Sequence, residues 1–260
     1  MARDSQDLGK LRILISNDDG IHAPGVKVLE RVARRLGGEV WVVTPETEQS
    51  AASHSLTLRR PLRVRKVKGR RYAVDGTPTD SVLLGINEVM KDRRPDLVLS
   101  GVNRGGNLGE DVTYSGTIAA AMEGTLLGVR SIAFSQMCDD GRPVHWATAE
   151  RWAEVVIRKF ATVDWPTNVL INVNFPDVAA DKVKGIEIVR QGQRKIGGQY
   201  DCGTDPRGEK YFWIGSQRNE DVFRRGTDLE AVNRGMISVT PLALDLTHMP
   251  TLNSFKRLFR

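Results

Sequence analysis

Short apolar runs that stop at polar turns alternate with stretches of helical periodicity through the first two thirds of the chain. Residues 11–16 form such a run, typical of a buried strand, and Asn-Asp-Asp-Gly at residues 17–20 ends it. Apolar residues then recur at helical spacing over residues 26–36, and residues 40–43 form a second apolar run. This β-α-β order predicts a parallel sheet with a right-handed crossover.

The same alternation continues to about residue 173 and then changes. Further strands are predicted at residues 96–100, 130–134 and 169–173, and helices at residues 77–90, 115–127 and 146–160. Beyond Pro176 we expect short strands at residues 186–190, 211–214 and 236–240 and a short helix at residues 227–233.

The pattern predicts one α/β domain with a polar tail and a distinct C-terminal part. Residues 1–9 are expected to be a disordered tail. A core of about residues 10–184 would have a sheet that is complete by Val173. Residues of about 185–260 would form oligomerisation arms, because a two-stranded arm cannot bury its own large apolar groups. These groups are Tyr200, Tyr211, Phe212, Trp213, Ile214 and Phe223.

Composition excludes fibrous, low-complexity and disulfide-scaffold classes. The 260 residues are 40% apolar and 27% charged, as in globular proteins. The net charge of +6 favours anionic partners without selecting one. Two distant cysteines and the absence of a signal-peptide or membrane-spanning run predict a cytoplasmic protein with no membrane partner.

Two adjacent carboxylates, Asp18 and Asp19, follow the first predicted strand. In open α/β sheets, ligands bind outside the carboxyl ends of the strands. Neighbouring acids repel each other and favour a hard divalent cation. The alternative is a solvated Asp-Asp-Gly turn, but the position at the end of a buried strand favours a metal or catalytic role.

A glycine-rich loop at residues 101–109 leads to Ser115, Gly116 and Thr117 at a helix start. Backbone N–H groups in such loops and at helix N-termini bind anions. The spacing matches neither a P-loop nor a dinucleotide fingerprint, so a plain surface loop remains the alternative. The loop also offers Asn103 and Asn107 as neutral oxygen donors for a metal or a substrate.

Two further segments offer candidate chemistry. The polar loop at residues 45–55 holds His54, a possible acid or base, and Ser50, a possible metal ligand. The basic run at residues 59–71 is typical of a charged edge strand. The alternative is that this run binds a polyanion.

Oxygen donors dominate these constellations. The four histidines form no zinc motif, and no G-x-S-x-G is present. The residues therefore favour Mg²⁺ or Mn²⁺ acting on a phosphorylated substrate. The rival interpretations are a nucleic-acid or polyphosphate binding protein that uses the basic run, and a nucleotide-cofactor oxidoreductase. The latter is disfavoured because the first β-α turn lacks the glycine fingerprint.

Four blocks in order resemble the SurE family of survival-protein 5′/3′-nucleotidases. They are ISNDDG at residues 15–20, the loop at residues 45–55, DGTPTD at residues 75–80, and SGVNRGGNLG at residues 100–109 with YSGT at residues 114–117. Two positions depart from the family pattern: Gln49, where a basic residue is expected, and Ser53, where glycine is frequent.

The resemblance implies a Rossmann-like three-layer α/β/α fold with an extended C-terminal part that exchanges between subunits. It also implies a cytoplasmic dimer or tetramer that hydrolyses nucleoside 5′- and 3′-monophosphates and has one divalent cation per subunit. The catalytic residues would be Asp18, Asp19 and His54. The implied metal ligands are Asp18, Asp19, Ser50 and Asn103. The substrate-binding residues would be Asn103, Asn107, Ser115, Gly116 and Thr117.

Overall fold

The computed structural model describes residues 8–139, 141–193, 195–196, 200–214, 218–219 and 223–258. Its strands are β1 (Arg12–Ser16), β2 (Glu39–Pro45), β3 (Val64–Lys68), β4 (Arg71–Val74), β5 (Leu97–Arg104), β6 (Arg130–Gln136), β7 (Val169–Phe175), β8 (Ile186–Ile188), β9 (Lys195–Ile196), β10 (Tyr200–Thr204), β11 (Lys210–Ile214), β12 (Arg218–Asn219) and β13 (Ile237–Ala243). Its α-helices are α1 (Pro24–Arg35), α2 (Pro78–Leu84), α3 (Gly116–Leu126), α4 (Trp146–Ala161), α5 (Asp228–Asn233) and α6 (Met249–Phe255). Other helical turns cover Leu8–Lys10, Gly85–Val89 and Gly109–Thr113.

A nine-stranded sheet with the order β3-β4-β2-β1-β5-β6-β7-β13-β8 forms the centre of the described chain. The strands from β4 to β7 in this order all run parallel. The strands β3 and β13 are antiparallel to their neighbours β4 and β7. The predicted α/β fold with a mostly parallel sheet is therefore confirmed.

Helices cover both faces of the sheet. Successive side chains of a strand point to opposite faces, so each strand contributes to the packing on both sides. Ile13 and Ile15 of β1 join an apolar cluster with residues of α1 and α4. Leu14 lies in a separate cluster with Val82 of α2 and Ala120 of α3. The sheet thus separates two cores, which makes the three-layer arrangement that the resemblance to the SurE family implies.

Helix starts follow from local sequence. At α2, the Thr77 side chain accepts from the backbone N–H of Asp80, and the Asp80 carboxylate accepts from the N–H of Thr77. This reciprocal capping box, with Pro78 at the first helical position, confirms the predicted start. Ser115 caps α3 in the same way by accepting from the N–H of Ile118.

The core sheet does not end at Val173, contrary to the sequence expectation. Strand β13 pairs with β7 from Ser238 to its end at Ala243, with Val239 opposite Val173, and β8 pairs with β13. Two segments beyond residue 184 therefore complete the core. Phe223 also packs against core residues. The glycine-rich loop is shorter than predicted because β5 continues to Arg104.

The terminal segments differ in part from the expectation. Of the predicted tail, residues 1–7 lie outside the described residues, whereas Leu8 begins a helical turn and packs against the core. In the described part of the chain, no helix is both long and apolar enough to span a membrane.

Strands β10 and β11 form a two-stranded antiparallel ribbon outside the main sheet, here called the C-terminal hairpin. Its large apolar side chains are exposed, among them Trp213 at 69% and Ile214 at 87%. Helix α6 likewise leaves Met249 and Phe255 exposed. Such groups are normally covered in soluble proteins, so this surface is a candidate for contact with another subunit.

An ion-pair cluster joins α1 to α4 on the outer surface and gives a pH-dependent prediction. Glu150 binds Arg31 at 2.6 Å and Arg35 at 2.7 Å. The hydrogen bond from Arg31 is the main cause that lowers the pKa of Glu150 to about 2, from an ordinary 4.5. The folded state favours the charged form of Glu150. The ion pairs therefore contribute to the free energy of unfolding above pH 4.5, and this contribution is lost as the pH falls toward 2.

We expect Glu150→Gln to lower the free energy of unfolding by about 1 kcal/mol at pH 7, given the partial exposure of the cluster. Urea titrations at pH 7, 4.5 and 3 would show the difference from the unmodified protein shrinking below pH 4.5. The control is Glu88→Gln, whose partner Lys91 is 3.9 Å away on the exposed surface. A difference that stays constant down to pH 3 would contradict the ion-pair explanation.

Candidate active site

The candidate site lies at the topological switch point of the sheet, where the strand order reverses. Strand β1 has β2 on one side and β5 on the other, and the chain visits β2 before it crosses back to β5. In doubly wound sheets this arrangement opens a crevice at the carboxyl ends of the two central strands. Asp18 and Asp19 follow β1, and Asn103 lies near the end of β5.

Asp18 is buried against the first turn of α3. Its Oδ1 accepts a short hydrogen bond from the Thr117 hydroxyl. A Cβ on Gly116 would lie 2.7 Å from the Asp18 Cβ, so only glycine permits this approach. Burial raises the pKa of Asp18, while hydrogen bonds from the side chain and backbone of Thr117 lower it. The positive end of a helix thus faces a buried carboxylate.

Asp19 is less buried than Asp18 and carries a second perturbed carboxyl. Its pKa is raised to about 7, first by burial and then by the charge of Asp18. The backbone N–H and the positive charge of Arg104 act in the opposite direction. Two adjacent acids with raised pKa values form an electrostatic environment that a bound cation would relieve.

The loop after β2 lies beside these two carboxylates. The Gln49 N–H donates to the Asp18 carbonyl at 2.8 Å. The charge of Glu48 raises the pKa of both Asp18 and Asp19. Ser50, a predicted metal ligand, is exposed and donates to Glu48 Oε1 at 2.7 Å. The loop therefore brings a third carboxylate, which binds the Ser50 hydroxyl, close enough to act on the charges of Asp18 and Asp19.

The same loop is fastened to the segment before α3. The Ser53 hydroxyl donates to the Thr113 carbonyl at 2.8 Å, and its N–H donates to Tyr114 at 3.2 Å. Ser53 has a φ of 52°, in the left-handed region that favours glycine. This explains why glycine would suit position 53, as the family pattern has it. The strain there is held by the hydrogen bonds around it.

His54 lies against the middle of α3 rather than in open solvent. Its Nε2 is 3.0 Å from Oε2 of Glu123, and the imidazole is 31% exposed, while the Glu123 side chain is 9% exposed. This contact ties the end of the loop to the helix whose N-terminus faces Asp18. The structure thus gives His54 a partner that the sequence did not reveal.

Residues 103–109, here called the asparagine loop, follow a register shift of β5 against β6. Such bulges redirect side chains next to functional sites. Asn103 donates to the Gly105 carbonyl at 2.9 Å. Its amide oxygen is the group that would ligate a cation.

Asn107 is buried inside a network of neutral amides. Its Nδ2 donates to Ser135 Oγ at 2.7 Å, and its N–H donates to Asn174 Oδ1 at 2.8 Å. Its carbonyl accepts from Nδ2 of both Asn172 and Asn174. A network whose members are all hydrogen-bonded fixes the loop rigidly, since the low dielectric of the interior strengthens each bond.

The helix start that was predicted to bind phosphate is formed as expected, but its hydroxyls already have partners. Ser115 Oγ accepts from Ile118, which leaves its O–H free to rotate and donate. The Thr117 hydroxyl binds Asp18. The N–H groups of Thr117 and Ile118 already donate to Asp18 and Ser115. An anion at this end of α3 would therefore meet the N–H of Gly116 and the Ser115 O–H.

The sequence missed residues that act on the candidate site from elsewhere. Glu48, Arg104 and Glu123 were not singled out, and neither were the asparagines of β7. Glu48 and Arg104 lie inside blocks that resemble the family, but the contacts of all these residues join segments that are distant in sequence, so no local pattern shows their roles. The position of Arg104 within the glycine-rich loop was the one available indication.

Comparison with known proteins decides the family. The model of the family described as "Survival protein SurE" matches residues 13–198. A "5'-nucleotidase SurE" of Paramagnetospirillum magneticum is 66% identical over 253 residues, which cover 97% of each chain. The chain belongs to the SurE family.

Other members of the SurE family agree in sequence and in fold. A "5'-nucleotidase SurE" of Rhodospirillum rubrum is 55% identical and covers 97% of this chain and 98% of its own. The crystal structure of the SurE protein from Aquifex aeolicus matches with a TM-score of 0.84 at 40% identity, over 96% of this chain and 100% of that chain. The predicted family and fold are thereby confirmed, and both sequence relatives are named as enzymes.

Proposed function

We propose that this chain is a divalent-metal-dependent phosphomonoesterase that hydrolyses nucleoside 5′- and 3′-monophosphates, and short polyphosphate as a further substrate. The observation that carries the proposal is the pair of adjacent carboxylates, Asp18 and Asp19, held at the positive end of α3. The names of the close relatives support a nucleotide as substrate. The same relatives support the assignment as a nucleotidase.

The residues at the site fit a hard divalent cation. In the described part of the chain, no three His, Cys, Asp or Glu side chains lie together as a metal site. A cation at Asp18 and Asp19 therefore needs neutral oxygen ligands, and the Asn103 amide and the Ser50 hydroxyl are the candidates. Among the residues that the structure describes, no donor reaches the buried Oδ1 of Asn17, next to Asp18. Such an all-oxygen donor set suits Mg²⁺ or Mn²⁺.

Each part of the site would have a separate task in hydrolysis. A bound cation would neutralise the charge that develops on the phosphoryl oxygens. The Gly116 N–H at the start of α3, with the Ser115 O–H, would hold other phosphoryl oxygens. Thr117 would orient Asp18 through its hydrogen bond. The exposed Arg104 would attract the anionic substrate to the crevice.

The basic run at residues 59–71 supports no rival function. It includes β3 and the first residue of β4, at one edge of the sheet. Five of its six arginines pair with acids of the same surface, namely Arg60 and Arg63 with Asp75, Arg65 with Glu46, Arg70 with Glu39 and Arg71 with Glu30. Paired cations present a weaker field to a polyanion, so nucleic acid is not proposed as a partner. The cytoplasmic location stays a prediction.

Self-association is the second part of the proposal. The C-terminal hairpin and α6 expose large apolar side chains, and a two-stranded ribbon is only marginally stable alone. Exchange of an identical element between protomers would cover these side chains and produce a symmetric dimer or tetramer. The chain segments that complete the core, β8 and β13, would remain within one protomer.

Phosphate release from AMP tests the activity and the cation together. We expect hydrolysis with Mg²⁺ or Mn²⁺, loss of activity with EDTA, and recovery on adding the metal back. Asp18→Asn and Asp19→Asn should each lower kcat at least ~10²-fold, because changes that touch only the neighbours of metal ligands already cost about 10–100-fold. Near-normal turnover of both variants at saturating metal would overturn the site. Asp139→Asn, on the surface, is the control.

The contact with Glu123 allows the role of His54 to be divided into anchoring and proton transfer. His54→Ala removes both, and His54→Gln keeps a donor near the position of Nε2. We expect Gln to recover most of the kcat that Ala loses, because the structure shows the ring bound to Glu123. If both variants lose about 10²–10⁴-fold, His54 transfers a proton, as general acids contribute that much. Unchanged kcat in both would exclude either role.

Light scattering at micromolar concentration tests the assembly. The monomer mass is 28.9 kDa, and we expect a dimer or tetramer. The double variant Trp213→Ser and Ile214→Ser should reduce the mass toward the monomer, since it removes exposed apolar area from the C-terminal hairpin. Val163→Ser, which removes an apolar side chain that is 50% exposed elsewhere, is the control. A monomeric unmodified protein would contradict the exchange.

A further inference from the structure

A buried aspartate at the start of α5 binds a loop that is distant in sequence. Asp228 is 0% exposed, and its Oδ1 accepts from the N–H groups of Gly192 at 2.7 Å and Leu229 at 2.8 Å. Its Oδ2 accepts from the N–H of Gly109 at 2.9 Å. Helix α5 does not need this carboxylate as a cap, because Thr227 is the N-cap residue. The bond to Gly109 therefore calls for another explanation.

A second side chain holds the other polar group of the same glycine. Gln191 Nε2 donates to the Gly109 carbonyl at 2.8 Å. The preceding residue, Leu108, is buried in an apolar cluster with Leu229 and Val232 of α5. The N–H, the carbonyl and the neighbouring side chain are thus all bound by the C-terminal part of the chain. Such complete fixation of one loop residue restricts its movement in every direction.

Gly109 connects the asparagine loop, which holds the predicted substrate-binding residues Asn103 and Asn107, to the proposed anion site at the start of α3. It ends the asparagine loop and begins the helical turn Gly109–Thr113, which leads to Ser115 at the start of α3. Its φ of 55° makes the sharp turn between them. Any shift of Gly109 moves Asn107 on one side and the N-terminus of α3 on the other. Binding an anion between them requires both to keep their positions.

We propose that Asp228 and Gln191 are positioning residues that act through Gly109 to keep the asparagine loop and the N-terminus of α3 in register for binding a phosphate group. The proposal rests on the function proposed above. It also connects the site to the C-terminal hairpin, because Gln191 precedes the hairpin in sequence and Asp228 follows it. Neither residue touches the substrate in this assignment.

Two variants remove these contacts selectively. In Asp228→Asn, the amide oxygen can keep the bonds to Gly192 and Leu229, which places the NH₂ group opposite the N–H of Gly109, where no hydrogen bond forms. Gln191→Met has a similar length and no donor. Thr148→Val is the matched control. It removes the hydrogen bond that the hydroxyl of Thr148, a buried residue of α4, donates to the Val178 carbonyl at 2.6 Å. Asp228→Asn and Gln191→Met leave the proposed metal ligands unchanged.

The measurements are the inhibition constant of inorganic phosphate and the kcat and KM for AMP and for p-nitrophenyl phosphate. We expect the inhibition constant to rise roughly tenfold in both variants, as loss of a buried hydrogen bond predicts. kcat/KM should fall by the same factor for the two substrates, because the contacts position phosphate and not the nucleoside. The double variant should lose less phosphate-binding free energy than the sum of the two single losses, since both residues act through Gly109.

The control separates positioning from stability. If the variants and Thr148→Val lower the melting temperature alike while the phosphate constant stays unchanged, the contacts are only structural and the proposal fails. Unequal losses for the two substrates would also overturn it. Failure of the proposed function would appear as no hydrolysis by the unmodified protein. Calorimetric titration of inorganic phosphate with Mg²⁺ would then test the positioning role by itself.

Discussion

Two like charges held side by side below the surface are the constraint on which this site depends. Burial and mutual repulsion both disfavour ionised Asp18 and Asp19. Hydrogen bonds offset part of this cost. The hydroxyl and the N–H of Thr117 donate to Asp18, and the N–H of Arg104 donates to Asp19. These donors belong to α3 and to the end of β5, so three elements must meet at one point. Gly116 makes the meeting possible because it has no side chain.

The elements that were predicted well are those whose formation is decided locally. The cap of α2 at Thr77 and the cap of α3 at Ser115 each depend on contacts between residues three positions apart. The buried strands of the parallel sheet are short apolar runs with polar ends. The sequence pattern predicts β13 as a strand but not as part of the core sheet. Its place beside β7 depends on pairing between distant segments, which no local pattern specifies.

The same distinction applies to the site. Asp18, Asp19 and Asn103 could be proposed from the sequence because the carboxyl ends of parallel strands converge. Glu48, Glu123 and Asp228 could not, since each one's role follows from a contact with a residue far along the chain. Ser53 is an intermediate case. The family pattern showed that it was unusual, and the backbone gives the reason, a positive φ that glycine adopts without strain.

The chemistry of the supporting residues matches the charge of the expected ligand. Around Asn107 the supporting groups are neutral: the amides of Asn172 and Asn174 and the hydroxyl of Ser135. Neutral donors and acceptors fix the loop without adding negative charge that would repel a phosphate. Asp228 is the exception, and its charge is met by three backbone N–H groups behind the loop. The negative charge that does face the crevice, on Asp18 and Asp19, lies where a cation would bridge to the substrate. The polar interior is therefore divided into a neutral part that fixes geometry and a charged part at which we propose that a metal ion binds.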